Sequence, residues 1–145
     1  RDSANRVEAG KRPRSSMAPT IVFDQNGRLK AVLGSPGGSR IILYVIKSLI
    51  GLIDWQLDAR AAAAMINFGS RGRRFEIEFD ASVATANFLF PLRHRPAVWH
   101  AIRMKPFGHR IRPDLMTSGL HIIVRRGKFL EGAADPRREG VALGD

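Results

Sequence analysis

A glycine-rich turn, GSPGGSR over residues 34–40, separates two stretches of the chain that differ in hydrophobic period. Before it, residues 20–23 are a short β-branched and aromatic run, and the Asn-Gly pair within 24–27 is typical of a tight hairpin turn that returns as a second strand over 28–33. After it, apolar residues recur every three or four positions over 41–53, which predicts a helix with one wide apolar face. The turn therefore predicts a junction between a hairpin and a helix.

Two glycines in this turn could bind an anion. Gly37 and Gly38 lack Cβ atoms, so the backbone can adopt positive φ and bring its amide hydrogens close to a ligand oxygen. They precede a predicted helix, with Ser39 as the expected N-cap, and the unpaired amides and dipole of a helix start favour negative charge. This geometry suits an oxyanion hole. The alternative is a tight turn in which the glycines serve only the bend.

Two adjacent hydroxyls, Ser15 and Ser16, precede the first predicted strand. Serine can donate a hydrogen bond to a carboxylate with little steric bulk, although it can equally satisfy nearby backbone groups in a loop. Residues 1–14 contain five basic residues and almost no apolar pattern, which predicts a loop-like leader. Since the sequence begins at Arg1, we expect it to be a piece of something longer.

The rest of the chain continues as a mixture of helices and strands. The strands of the first hairpin are apolar on both faces in places, so we expect both to lie inside a sheet and not at its edge. The further predicted elements are a helix over 59–66 capped by Asp58, a half-buried strand over 75–79, a helix over 96–105 and a second hairpin over 120–133. Residues 80–95 receive no assignment. This order favours a layered α+β fold over a nucleotide-binding parallel sheet.

Composition excludes several kinds of site. The chain has no cysteine, so it can form neither disulfides nor thiolate metal sites, and it has no cysteine nucleophile. Its four histidines, which are His94, His100, His109 and His121, lack metal-binding spacing, so we expect no metal and no cofactor. No apolar stretch reaches the length of a membrane span.

Four further residues favour structural interpretations. Asp135 is expected to stabilise a turn through Arg137 or backbone amides and not to act in catalysis. Trp55 and Trp99 are expected to be core or interface aromatics. His121, within a predicted strand, is expected to be packed or hydrogen-bonded.

Net charge is the main argument for a different class of function. With 24 basic and 13 acidic residues the chain carries +11, which by itself suggests a polyanionic partner. The arginines are scattered beside turns, however, so we expect no nucleic-acid partner. A basic nucleic-acid-binding module and a non-catalytic anion-binding domain that uses Gly37 and Gly38 both remain as alternatives.

Four motifs carry a resemblance to a known family: RSSMAPT at 14–20, LGSPGGSRII at 33–42, MTSGLH at 116–121 and GAADPRREGVA at 132–142. In this order they resemble the small subunit of gamma-glutamyltransferase (gamma-glutamyltranspeptidase), an N-terminal-nucleophile hydrolase. The resemblance implies that residues 1–145 are a single-domain fragment, the C-terminal portion of the small, catalytic subunit. It also implies that this α+β fragment is part of a four-layer αββα sandwich.

The resemblance further implies an enzyme. In that family a precursor cleaves itself, and the exposed threonine attacks the γ-glutamyl carbonyl of substrates such as glutathione, giving an acyl-enzyme that is passed to water or to an amino acid or peptide. By motif, Ser15 and Ser16 would hold the α-carboxylate of the glutamyl group, and Gly37 and Gly38 would form the oxyanion hole. No threonine here matches the nucleophile, so the missing upstream segment and the large subunit would be partners, and we expect the fragment alone to be inactive. A periplasmic or extracellular location is implied as well.

Overall fold

The structure, a computed structural model, describes residues 5–13, 15–72, 74–79 and 103–144. The described strands are β1 (Thr20–Phe23), β2 (Leu29–Gly34), β3 (Phe68–Ser70), β4 (Phe75–Glu78), β5 (Ile111–Asp114), β6 (His121–Arg126) and β7 (Phe129–Ala134). The described helices are α1 (Ile41–Ile53) and α2 (Ala59–Ala64), with 3-10 helices at Gly38–Arg40 and Lys105–Phe107. The α+β class is therefore confirmed. Residues 80–95, most of the predicted helix over 96–105, and Arg14, His94, Trp99 and His100 lie outside the described residues.

The larger sheet contains both predicted hairpins. Its strand order is β1-β2-β6-β7, and each neighbouring pair is antiparallel. The first hairpin closes through residues 24–27, where the Gly27 amide donates to the Asp24 carbonyl over 3.0 Å. The prediction that both strands of this hairpin are internal is wrong for β1, which lies at the edge of the described sheet because only β2 pairs with β6.

Both helices pack on one face of this sheet. The core joins sheet residues such as Leu33 and Ile122 to Val45 of α1 and Ala62 of α2. Because side chains alternate along a strand, the neighbouring positions point to the opposite face. There the register aligns Ile21 with Val32 and Val32 with Ile123, and these side chains are 59%, 36% and 48% exposed. We call Ile21, Val32 and Ile123 the open row.

Helix α1 has the predicted bounds but a different buried face. Tyr44 and Ser48 are buried, whereas Ile42 and Ile46 are 49% and 47% exposed. The Ser48 hydroxyl donates a hydrogen bond to the Tyr44 carbonyl over 3.0 Å. Because its hydroxyl has this partner, the polar side chain can face the core. The predicted N-cap is also wrong, because Ser39 lies within the 3-10 helix before α1 and makes no capping bond.

Helix α2 is capped as predicted. One carboxylate oxygen of Asp58 accepts a hydrogen bond from the Ala61 amide over 2.6 Å. The helix ends at Ala64, earlier than the predicted 66, and β3 begins at Phe68.

The smaller sheet pairs β3 with β4 antiparallel and β4 with β5 parallel. Neither β3 nor β5 was predicted. β4 lies within the half-buried strand predicted over 75–79, yet its acidic residue Glu76 is only 7% exposed. It is buried because Arg40 and Arg71 both pair with its carboxylate, at 2.9 Å and 2.8 Å.

Candidate functional site

An open cavity of about 420 Å³ lies where the segment before β1 meets the glycine turn after β2. Its wall includes both predicted serines, Ser15 and Ser16, together with Gly38 and Ser39 of the turn. Met17 and Ile41 add apolar surface. Polar donors from two separate segments therefore line one cavity, and Gly37 lies just outside the wall.

The two glycines of the turn have different environments. Both adopt positive φ, 141° at Gly37 and 57° at Gly38. A Cβ at Gly37 would lie 2.5 Å from Cε2 of Tyr44, whereas a Cβ at Gly38 would meet no atom within 4 Å. Gly37 thus lets the turn pack on the Tyr44 ring, and Gly38 leaves the backbone open toward the cavity. Amides at a helix start have no partner within the helix, so the turn retains donors for a ligand.

The serines are accessible to a ligand. Ser15 is exposed and Ser16 is half-buried. The Ser15 oxygen accepts a hydrogen bond from the Met17 amide over 3.3 Å, which is the local backbone contact considered as the alternative for this pair. Because a hydroxyl can accept and donate at once, this contact leaves the Ser15 hydrogen able to bind an anion.

A loop between β5 and β6 supports the glycine turn. The Ser35 hydroxyl donates to the Pro36 carbonyl over 2.7 Å and accepts from the Gly119 amide over 3.0 Å. A Cβ at Gly119 would lie 2.8 Å from Pro36 Cγ and 2.6 Å from Arg138 Cδ, so only glycine fits. Sequence reasoning used this loop only as a motif and missed its contact with the turn.

An ion-pair cluster of Arg40, Arg71, Glu76 and Asp114 lies at the other end of the turn, where Arg40 attaches the turn to the smaller sheet. Arg40 Nη2 donates to Asp114 over 2.7 Å, in addition to the pairs with Glu76 described above, and Arg71 Nη1 donates to the Ser39 hydroxyl. The hydrogen bonds from Arg71 and then Arg40 lower the pKa of Glu76, so that the carboxylate stays ionised despite its burial. Sequence reasoning treated the arginines only as residues scattered beside turns and missed this cluster.

Asp135 has the structural role that was predicted. It is buried, and it accepts hydrogen bonds from the Leu120 amide (3.1 Å), the Arg137 amide (3.0 Å) and the Ser118 hydroxyl. Burial alone would raise the pKa of Asp135, but these bonds, Ser118 first, lower it overall.

A buried lysine lies away from the cavity wall. Lys47 is 1% exposed and donates to the carbonyls of Ala63 and Met65 at the end of α2. Burial, and then repulsion by Arg137, lower the pKa of Lys47 from 10.5 to about 7. Arg137 itself pairs with Asp135 over 3.1 Å and with Glu78. This arrangement holds the end of α2 against β4 and the loop after β7.

Other candidates give no site. Within residues 5–13, 15–72, 74–79 and 103–144, no group of three or more His, Asp or Glu could hold a metal ion. His121 is exposed, and Trp55 is 56% exposed, so Trp55 is not a core residue. The same described part of the chain has no helix whose length and apolar character would suit a membrane crossing.

Comparison with known proteins gives sequence matches that agree with one another on the family. All of residues 1–145 match the sequence model of a family described as Gamma-glutamyltranspeptidase. The chain is 49% identical over 134 residues to a glutathione hydrolase proenzyme of Escherichia coli K12, covering 92% of this chain and 21% of that protein. It is 32% identical over 142 residues to glutathione hydrolase proenzyme 2 of Schizosaccharomyces pombe, covering 95% and 21%. The chain thus spans only 21% of the length of these relatives.

A solved structure shows the same architecture. Gamma-glutamyltranspeptidase from Pseudomonas nitroreducens, complexed with L-DON, superposes with a TM-score of 0.74 at 30% identity. The match covers 99% of this chain and 69% of that one.

Proposed function

Because the chain belongs to the gamma-glutamyltranspeptidase family, we propose that it is the C-terminal portion of the small subunit of an enzyme that cleaves γ-glutamyl amide bonds. Glutathione and related γ-glutamyl compounds are the proposed substrates. The glutamyl group would pass through a threonine acyl-enzyme to water, an amino acid or a peptide. Residues 1–145 would form one domain of this larger assembly, with 1–14 as its leader.

The observation that carries the proposal is the shared cavity of Ser15, Ser16 and Gly38. A γ-glutamyl group has a carboxylate at one end and the reacting carbonyl at the other, so its site needs anion donors at two places. We assign Ser15 and Ser16 to the α-carboxylate, since hydroxyls bind it with charge-assisted hydrogen bonds. We assign the amides of Gly37 and Gly38 to the oxyanion, Gly38 being the one in the cavity wall and Gly37 the one fixed on Tyr44.

The open row supports the existence of partners. Apolar positions aligned across three strands are normally covered by another layer, because contiguous exposed apolar surface is unfavourable in water. We propose that the upstream part of the small subunit and the large subunit cover the row, and that the upstream part of the small subunit supplies the threonine nucleophile. The fragment alone is then inactive. As the resemblance implies, we place the enzyme in the periplasm or outside the cell, which cell fractionation tests.

The test is γ-glutamyl release by the full-length protein that carries this sequence. Replacing both serines, as Ser15→Ala with Ser16→Ala, should lower kcat/KM by about a hundredfold or more, mainly through KM, because two hydrogen bonds to a charged group are lost. The matched control is Ser70→Ala, an exposed serine outside the cavity, which should leave the kinetics unchanged. Full turnover by the double variant, or no γ-glutamyl release by the unmodified protein, would contradict the proposal.

A further inference from the structure

Ser39 is a polar residue of the cavity wall to which neither the motifs nor the resemblance gave a catalytic or binding role. It follows Gly38 directly and lines the same cavity. Its hydroxyl oxygen accepts a hydrogen bond from Arg71 Nη1. A guanidinium can only donate, so Ser39 is the acceptor in this contact, and its single hydroxyl hydrogen is left for another partner.

Arg71 is itself held from the opposite side. Its Nη2 pairs over 2.8 Å with one oxygen of Glu76, whose second oxygen accepts from Arg40 Nε over 2.9 Å. Glu76 lies on β4 and is buried, so it gives Arg71 a fixed attachment on the smaller sheet. The guanidinium that contacts Ser39 is therefore positioned by a carboxylate and is not a free surface cation.

This geometry orients the hydroxyl. With its oxygen occupied by a cation, Ser39 keeps its hydrogen directed away from Arg71, and the positive charge makes that hydrogen a stronger donor. A negatively charged oxygen in the cavity beside Gly38 is the partner that fits such a donor.

We propose that Ser39 donates a hydrogen bond to the oxyanion that forms beside Gly38, and that Arg71 is a positioning residue that orients this hydroxyl. The inference rests on the proposed function, because the oxyanion is that of the γ-glutamyl carbonyl during acyl transfer. Ser39 then adds a side-chain donor to the backbone donors of the turn. Since the charge develops only in the transition state, its contribution belongs to kcat and not to substrate binding.

The experiment uses the full-length protein and a chromogenic γ-glutamyl anilide. Ser39→Ala should lower both kcat and kcat/KM by about ten- to a hundredfold with KM nearly unchanged, as expected for loss of one hydrogen bond to a charged group. Ser39→Thr, which keeps the hydroxyl, should restore most of the activity. Because Ser39 is exposed, removing its hydroxyl leaves the packed core intact.

Arg71 is tested by a double-mutant cycle. Arg71→Gln should lower kcat by about three- to tenfold in the native background, as expected for a partial loss of hydroxyl orientation. It should have no further effect in the Ser39→Ala background, because its action passes through that hydroxyl. The control is Arg74→Gln, an exposed arginine nearby, which should be neutral.

Three results would overturn the inference: an unchanged kcat for Ser39→Ala, an effect confined to KM, or an equal loss from Arg71→Gln with and without Ser39. Each of these results can be distinguished from a failure of the proposed function. If the serine pair is needed for turnover but Ser39 is not, only the present inference fails. If the unmodified protein releases no glutamyl group, the proposed function fails first.

Discussion

Replacing Gly37 by alanine should destabilise the protein clearly more than replacing the adjacent Gly38. The new Cβ would lie 2.5 Å from Cε2 of Tyr44, whose side chain is 2% exposed and cannot move aside freely. The φ of 141° adds about 1–3 kcal/mol of backbone strain. Overpacking against the ring adds about 1–3 kcal/mol. In Gly38→Ala the new Cβ would meet no atom within 4 Å, so the only cost is the left-handed backbone conformation, about 1–2 kcal/mol.

Hydrogen exchange of the peptides covering residues 35–45 in the full-length protein measures the free energy of local opening. Gly37→Ala should lower it by about 2–6 kcal/mol, the sum of the two costs. In a Tyr44→Leu background the same substitution should cost less, because the ring contact is gone. The reasoning is refuted if Gly37→Ala costs no more than Gly38→Ala, or if its cost is the same with and without the tyrosine ring.

Two further predictions concern the helices. Lys47 has a folded pKa of about 7 against 10.5 when unfolded, so between these values the unfolded chain binds the extra proton, and this group makes the free energy of unfolding rise with pH. Lys47→Met should remove that slope, at most about 1.4 kcal/mol per pH unit, when urea denaturation is compared at pH 7 and pH 9. An unchanged slope would show that Lys47 does not titrate there. Asp58→Ala should lower the free energy of opening of α2, measured by hydrogen exchange, by about 1 kcal/mol. Asp58→Ser should retain a hydrogen bond from the Ala61 amide. Equal protection of α2 in the two variants would show that the Asp58 cap does not stabilise the helix.

The sequence predicted the elements whose signals are local. Both hairpins of the larger sheet, helix α1 and the Asp58 cap of α2 depend on turn residues, periodicity and a hydroxyl or carboxylate acceptor close in the chain, and all are present. Strand β5 was missed because it contains Pro113, which lacks an amide hydrogen and counts against a strand. The structure places β5 at the edge of the described smaller sheet, where a proline is tolerated.

The buried face of α1 could not be predicted for a different reason. Periodicity treats Lys47 and Ser48 as solvent-facing, yet both lie inside because backbone carbonyls accept their hydrogen bonds. One of these carbonyls belongs to Met65, 18 residues away, so the compensation exists only after the chain has folded. Burial of a polar group therefore depends on tertiary partners that a helical pattern does not contain.

The residues of the candidate site also differ in whether a local sequence signal could identify them. Residue type and turn chemistry made Ser15, Ser16, Gly37 and Gly38 candidates beside a structural alternative, and the family resemblance favoured the functional role. The structure brings Ser15, Ser16 and Gly38 to one cavity. The contact of Ser39 with Arg71 spans 32 residues and requires the smaller sheet, so no local signal could indicate it.

The glycine turn is attached to both sheets, and this decides what it can do. At its start, Ser35 bonds the Gly119 amide in the loop that leads into β6 of the larger sheet. At its end, Arg40 pairs with Glu76 on β4 and Asp114 on β5 of the smaller sheet. Amides that stabilise a developing charge are effective when they are already oriented and need no reorganisation during the reaction. Glycine residues alone would make the turn flexible, so in the proposed enzyme it is these two attachments, and not the glycines themselves, that convert a permissive backbone into a fixed set of donors.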